Sequence, residues 1–360
     1  MNIDILLGNF MPQKILLLTK NYPPQIGGIE KYSFDLYNQL VKEGNIVKLI
    51  VAWPRNEFLL TKKWTDSSPM QLLWKLCYIF SEFYRLGWFA LRCMTIGWYH
   101  SYLSDIVWSL DGSISFISFF LGEMTGVKTR ITVHGTDIVW DRKIYQSVIP
   151  KIIAKMDEIY VISENSRLEC FKRWIPASKI TLVTHTLDTI TFTDPGEFDI
   201  GVFLKNLWIE NSGDKIILFS IGRWIERKWF HWFLQRVMSV IDSQKFYYIL
   251  AWFWSFEWVY RKIINQHNLN NVSIVGKVDE LTKAKLFISS DYFVMPNLHI
   301  QNDLEGFGLV LLEAQFYWLD IISNNIDGLW SRLSDKDYLI SNNRPDTWIN
   351  LLQELYKLKI

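Results

Sequence analysis

A chain of 360 residues with a net charge of +1 and interspersed acids and bases predicts two domains, each large enough for its own core, and excludes a basic nucleic-acid groove. Its three cysteines, Cys77, Cys93 and Cys170, stand in no disulfide or metal-ligand spacing and suit a reducing compartment. The first residues lack a basic n-region and a cleavage site, and no uncharged run reaches the roughly 18 residues a membrane span needs, so the chain is expected in the cytoplasm.

Lys14 to Thr19 is a continuously apolar run of the kind buried on both faces of a parallel sheet. It leads into Pro23-Pro24-Gln25-Ile26-Gly27-Gly28 and a helix expected to stop at Gly44 as its C′ glycine. Strand, Gly-rich turn, helix is the phosphate-facing unit of doubly wound sheets, although a bare Gly-Gly more often makes a simple turn. Val47 to Ala52 is the next strand. Met70 to Ser104 reads as a long helical, aromatic-rich stretch, suited to core and interdomain packing or to an amphipathic surface that meets a membrane or a lipid-linked acceptor. Further strands are expected at Ile106 to Leu110, Arg130 to His134, Glu158 to Ser163 and Ile180 to Val183. His134, followed by Gly-Thr-Asp, would stand at the carboxyl end of its strand, where such sheets bind ligands.

The Pro- and Gly-containing segment 191–213 reads as an interdomain linker between residues 1–190 and 214–360. Strands at Lys215 to Ile221, Phe246 to Ala251, Val272 to Val275, Tyr292 to Met295 and Leu319 to Ser323 then alternate with helices, which means a second parallel sheet. The first of these strands runs into Gly222-Arg223 and Glu226-Arg227-Lys228. An arginine just past a strand and a lysine five residues on could clamp a diphosphate, Arg by two parallel bonds and Lys as a point charge.

Glu305-Gly306-Phe307-Gly308 and a buried helix start carrying Glu313 complete the set. A helical path would hold Glu305 and Glu313 roughly 12 Å apart, wider than the carboxylate pair of a glycoside hydrolase. The two acids are therefore expected to do different jobs.

Together, P-P-x-x-G-G-I-E at Pro23 to Glu30, H-G-T-D at His134 to Asp137, G-R-x-x-E-R-K at Gly222 to Lys228 and E-x7-E from Glu305 to Glu313 resemble the family-4 retaining glycosyltransferases of the GT-B fold. The resemblance implies an α/β chain of two Rossmann-like, doubly wound domains facing across a cleft. The N-terminal domain would serve the acceptor and the C-terminal one the nucleotide sugar. A sugar would pass, with retention and without a metal, from a nucleotide diphosphate sugar to a glycan or lipid-linked acceptor, at the inner face of the membrane where the acceptor is lipid-linked. Arg223 and Lys228 would neutralise the departing diphosphate, and Gly27 and Gly28 would bring backbone N–H groups to it. Glu305, Gly306, Phe307 and Gly308 would lie against the donor sugar, Glu313 would hold the ribose, His134 would touch the sugar near the reacting centre and Lys277 would lie beside the base. The alternative is a non-catalytic nucleotide-sugar-binding or partner-binding relative that keeps the fold.

The chain holds 18 Trp and only 18 Gly. Several tryptophans stand where the family pattern and turn chemistry expect glycine: Trp174, Trp229, Trp252, Trp254 and Trp318. Glycine at ten of the eighteen would lift its share from 5% to near 8%, beside an ordinary share of about 7%. This suggests a gene whose UGA codons mean glycine, translated as though they meant tryptophan. A divergent, aromatic-rich enzyme or a degenerate copy is the alternative.

Overall fold

The computed structural model describes residues 12–25, 27–52, 69–183, 192–207, 209, 212–222, 226–251, 257–298, 300, 308–325, 333–334, 336–341 and 344–359. The chain forms two compact units: residues 1–191 with 301–308, and residues 192–300 with 309–360.

In unit 1, the strands are β1 (Lys14–Thr19), β2 (Ile46–Val51), β3 (Ile106–Ser109), β4 (Lys128–Val133), β5 (Glu158–Val161) and β6 (Ile180–Leu182). All pair in parallel, in the order β2-β1-β3-β4-β5-β6. The order reverses between β1 and β3. The longer helices are α1 (Gly28–Lys42), α2 (Pro69–Arg92), α3 (Ser115–Thr125), α4 (Lys143–Lys155) and α5 (Glu164–Lys172), with short helical turns at Trp98–Tyr102 and Thr136–Val139. Helix α1 ends as its sequence predicts. Gly44 takes φ 86, and the N–H groups of Gly44 and Asn45 close on the carbonyls of Val41 and Leu40. Helix α3 was not foreseen, because the run from Gly112 to Gly122 is apolar all round and has no helical stripe.

Among the described side chains of α2, the aromatic residues divide between core and surface. Phe89 is buried, and Arg85 is buried against its own Glu82 and the carbonyl of Lys20. On the opposite side Phe80, Phe83 and Tyr84 are each more than two-thirds exposed.

Helix α3 lies close against β4. A methyl group at Gly122 would overlap Thr129 Cγ2 and come within 3.1 Å of the Val127 carbonyl oxygen. Gly122→Ala gains about 1 kcal/mol of helix propensity but overpacks at a cost of about 1–3 kcal/mol. The second term wins because the carbonyl cannot swing aside. A net loss is expected in the urea midpoint of unit 1; an unchanged or higher midpoint would contradict this packing.

In unit 2, β7 (Ile216–Ile221), β8 (Phe246–Ala251), β9 (Val272–Gly276), β10 (Tyr292–Met295), β11 (Asp320–Asn324) and β12 (Tyr338–Ile340) form a second parallel sheet, ordered β12-β11-β10-β7-β8-β9. Its helices are α6 (Ile200–Asn206), α7 (Phe230–Phe233, extended by a π turn at Leu234–Met238), α8 (Glu257–Gln266), α9 (Glu280–Ile288), α10 (Leu309–Phe316) and α11 (Pro345–Lys359). Strand residues alternate between two cores, as the pleat requires. Ile216, Leu218, Tyr248 and Leu250 pack with Phe233 and Trp348. Ile217, Phe219, Ile249 and Phe293 pack with Phe287 and Leu311.

The segment 191–213 carries α6, and Leu204 and Ile209 join the second of these cores, so the described part of the expected linker is packed into unit 2. Strand β12 had no counterpart among the expected strands. Three residues at a sheet edge give too short a pattern to read.

Candidate functional site

In open parallel sheets, ligands lie beyond the carboxyl ends of the strands where strand order reverses. Both units place charged groups there.

In unit 1 the reversal is between β1 and β3, and residues just past β1, β3 and β4 converge on it. Lys20 Nζ pairs with Asp111 at 3.2 Å. Asp137 accepts from the backbone N–H groups of Gly112 at 2.7 Å and His134 at 2.9 Å, joining two strand ends. His134 is buried, stands edge-on to Tyr32, and approaches the Leu110 carbonyl through Nε2 at 2.9 Å. A carbonyl only accepts, so Nε2 carries a proton, and the tautomer this selects has Nδ1 as its acceptor. Burial would raise the Asp111 carboxyl, but the Lys20 charge and the Ser113 bonds outweigh it and hold Asp111 low. Burial and the Asp111 charge push Asp137 up. Lys20 and Asp111 were not singled out from sequence, and Asp137 stood in the H-G-T-D motif without a role of its own. Lys20 and Asp111 are 91 residues apart, and no local pattern joins them.

Gly27 is the extended N-cap of α1, φ 170 and ψ 171. The Glu30 carboxylate lies against it, where a Cβ would stand. An anion arriving at Gly27 and Gly28 would therefore meet a carboxylate already beside the turn. The thiols of Cys93 and Cys170 are buried and pushed up to about 12, which removes them as nucleophiles.

In unit 2 the reversal is between β7 and β10. Lys228 is buried and folds back so that Cε is 3.6 Å from where a Cβ on Gly222 would stand, at the end of β7. The Leu298 N–H donates to the Arg227 carbonyl at 2.8 Å, joining the Glu226–Lys228 turn to the loop after β10. Asn324 Nδ2 donates to the carbonyls of Pro296 and Asn297 in that same loop. Gly308, at φ 62, turns the chain into α10, where glycine is the residue that fits. On α10, Glu313 is buried, and its Oε1 accepts from Lys283 Nζ at 2.8 Å. Lys283 also pairs with Glu280 at 2.8 Å. Burial opposes the Lys283 charge, but the two carboxylates outweigh it and its pKa is raised. Lys283 was likewise missed from sequence. Lys277 follows directly on β9, whose last residue, Gly276, takes φ 69. Arg223, Glu305, Gly306 and Phe307 lie outside the described residues. Among the described residues, no three His, Cys, Asp or Glu side chains form a metal-holding group, and no helix is long and apolar enough to cross a membrane.

Residues 215–357, which fall in unit 2 apart from 301–308, match the family model for glycosyl transferases group 1. A 197-residue stretch is 27% identical to an "uncharacterized 41.2 kDa protein in cps region" of Klebsiella pneumoniae, covering 54% of this chain and 50% of that one. A 75-residue stretch is 36% identical to D-inositol 3-phosphate glycosyltransferase of Paenarthrobacter aurescens, covering 20% of this chain and 17% of that one. The chain thus spans half or less of the length of these curated relatives.

The fold is similar to that of Anabaena HepE in complex with UDP-glucose (TM-score 0.67, 13% identity, 96% of this chain and 91% of that one). It is also similar to sucrose-phosphate synthase from Thermosynechococcus elongatus (TM-score 0.69, 16% identity, 96% and 90%). The catalytic domain of Arabidopsis thaliana starch synthase IV, bound to ADP and acarbose, gives TM-score 0.69 at 12% identity, covering 97% and 92%. Two parallel six-stranded α/β units and these neighbours define the fold class as GT-B, as the motifs led us to expect.

Proposed function

We propose that the protein is a retaining glycosyltransferase that moves a sugar from a nucleotide diphosphate sugar to a glycan or lipid-linked acceptor, with side-chain cations in place of a metal. The observation that carries this reading is the buried Lys228, folded against Gly222 at the β7/β10 reversal, within a unit that matches the group 1 model. The leaving diphosphate gains negative charge as the glycosidic bond breaks. A cation already in place, with little water to reorganise, stabilises that charge more than the substrate's.

In this proposal Arg223 and Lys228 hold the diphosphate, Lys277 lies beside the base, and Glu305 with Gly306, Phe307 and Gly308 meets the donor sugar. Glu313 holds the ribose through Oε2, while Lys283 fixes its orientation through Oε1. His134 offers Nδ1 to a sugar hydroxyl, and Gly27 and Gly28 offer N–H groups to the phosphates once Glu30 moves. The exposed aromatic face of α2 would meet a membrane carrying a lipid-linked acceptor.

Glu313→Gln is expected to weaken donor binding roughly tenfold or more, since a bond to a charged acceptor contributes about 1.5–3 kcal/mol. Calorimetric titration would read it, and an unchanged affinity would remove Glu313 from the ribose site.

The test of the whole reading is titration with UDP-, GDP- and ADP-sugars of two preparations, one with Trp and one with Gly at 174, 229, 252, 254 and 318. Binding by either, followed by sugar transfer, supports it and identifies the base. If both are folded and neither binds, the donor-site assignment fails and the non-catalytic, partner-binding reading replaces it.

A further inference from the structure

We propose that the tryptophans of this chain are of two kinds: positions 108 and 348 are tryptophan in the cell of origin, while 174, 229 and 318 are glycine there, encoded by UGA.

The first observation is backbone conformation. Among the described residues, the non-glycine residues at positive φ are Trp174 (61), Trp229 (53), Trp318 (60) and Asn268 (49). Asparagine reaches the left-handed region through its short polar side chain; a bulky aromatic there is a genuine outlier.

The second is hydrogen bonding. The N–H groups of Trp174 and Ile175 close on the carbonyls of Phe171 and Cys170, and those of Trp318 and Leu319 close on Gln315 and Ala314. Gly44 with Asn45, and Asn268 with Leu269, make the same pair of bonds at the ends of α1 and α8. This is the two-bond helix stop whose C′ residue is ordinarily glycine, with the next residue buried. Ile175 and Leu319 are both buried. Four helices thus end in one geometry, closed by Gly, Asn and two Trp.

The third is what the indoles do. Trp174 is 91% exposed and Trp318 is 90% exposed, so neither gains burial that would offset the strain. Trp229 stacks on Trp232 at 4.1 Å, but its backbone stands in the left-handed region, φ 53 and ψ 20, as the N-cap of α7, where glycine fits without strain.

Trp348 and Trp108 are the opposite. Trp348 is fully buried, packs edge-on to Phe233, and donates from Nε1 to Asn324 Oδ1 at 3.2 Å. Trp108 is buried, donates to Thr132 Oγ1 at 3.0 Å, and lies beneath the Arg130 guanidinium at 4.7 Å. Glycine at either would leave a large void. No single reading of all tryptophans satisfies both groups, whereas two codons, UGA and UGG, do.

The test is to read the gene's codons at these five positions and to sequence the corresponding peptides by mass spectrometry, using protein from the native cell. UGA with glycine at 174, 229 and 318, and UGG with tryptophan at 108 and 348, is the expected result. UGG at the first three, or tryptophan in their peptides, overturns the proposal. Independently, W174G and W318G made in the chain as written should each raise Tm by roughly 2–4 °C. W174A and W318A, which keep a Cβ at the same φ, should not. A fall in Tm with glycine also overturns it. None of these readings depends on whether the protein transfers a sugar.

Discussion

Lys228→Ala is expected to lower kcat for sugar transfer by roughly 10²–10³-fold, the loss that follows removal of one preorganised group facing developing charge. The side chain is buried and its stem rests near Gly222, so it is held in position before substrate arrives. On the proposed reading, its cation would act without the reorganisation that a flexible surface lysine would need. Lys228→Arg should recover little, because the planar guanidinium is wider than an ammonium and does not fit the same fold-back. Steady-state rates with the donor identified by titration, together with thermal midpoints, give the readout. A folded variant within tenfold of the parent rate would take Lys228 out of the catalytic machinery. The other cations would then have to carry the diphosphate.

Trp348→Ala should destabilise unit 2 by about 3–5 kcal/mol, the range for truncating a buried large aromatic. In a unit of this size that corresponds to a fall in midpoint of roughly 10 °C. Trp348 sits in the core beneath β7, β8 and β10 and is fully buried. Its indole N–H also satisfies Asn324, whose amide holds the carbonyls of Pro296 and Asn297 in the loop after β10. Trp348→Phe keeps most of the volume and removes that bond, separating the packing loss from the polar one, which contributes about 1–3 kcal/mol. Urea denaturation measures both. A loss below about 1 kcal/mol for the alanine variant would mean the site collapses around the gap. Removal of one tryptophan thus destabilises by several kcal/mol, while glycine at 174 or 318 is expected to stabilise.

Much of the fold was legible because its signals are local. The apolar runs of β1, β8 and β10 and the helix α10 have the bounds their residues suggest, since a strand buried on both faces needs a continuous apolar run. Gly44 marks the end of α1 for an equally local reason. Helices α3, α4, α6 and α11 and strand β12 escaped: α3 is apolar all round, α4 carries Pro150, and α6 and β12 are very short, whereas α11 has an apolar stripe at Trp348, Leu352 and Leu355 that the sequence does carry.

For the site, the sequence by itself determined which residue types stand at strand ends: His134 just past β4, Lys228 in the turn after β7 and Glu313 in α10. It also marked Trp174, Trp229 and Trp318 as standing in glycine places, since turn chemistry is a property of adjacent residues. Only the tertiary structure decided that Lys20 meets Asp111, that Asp137 joins the ends of β3 and β4, and that Lys283 holds Glu313. Coulomb energy and desolvation depend on separation in space and on burial, and both are set when strands distant in sequence become neighbours in a sheet.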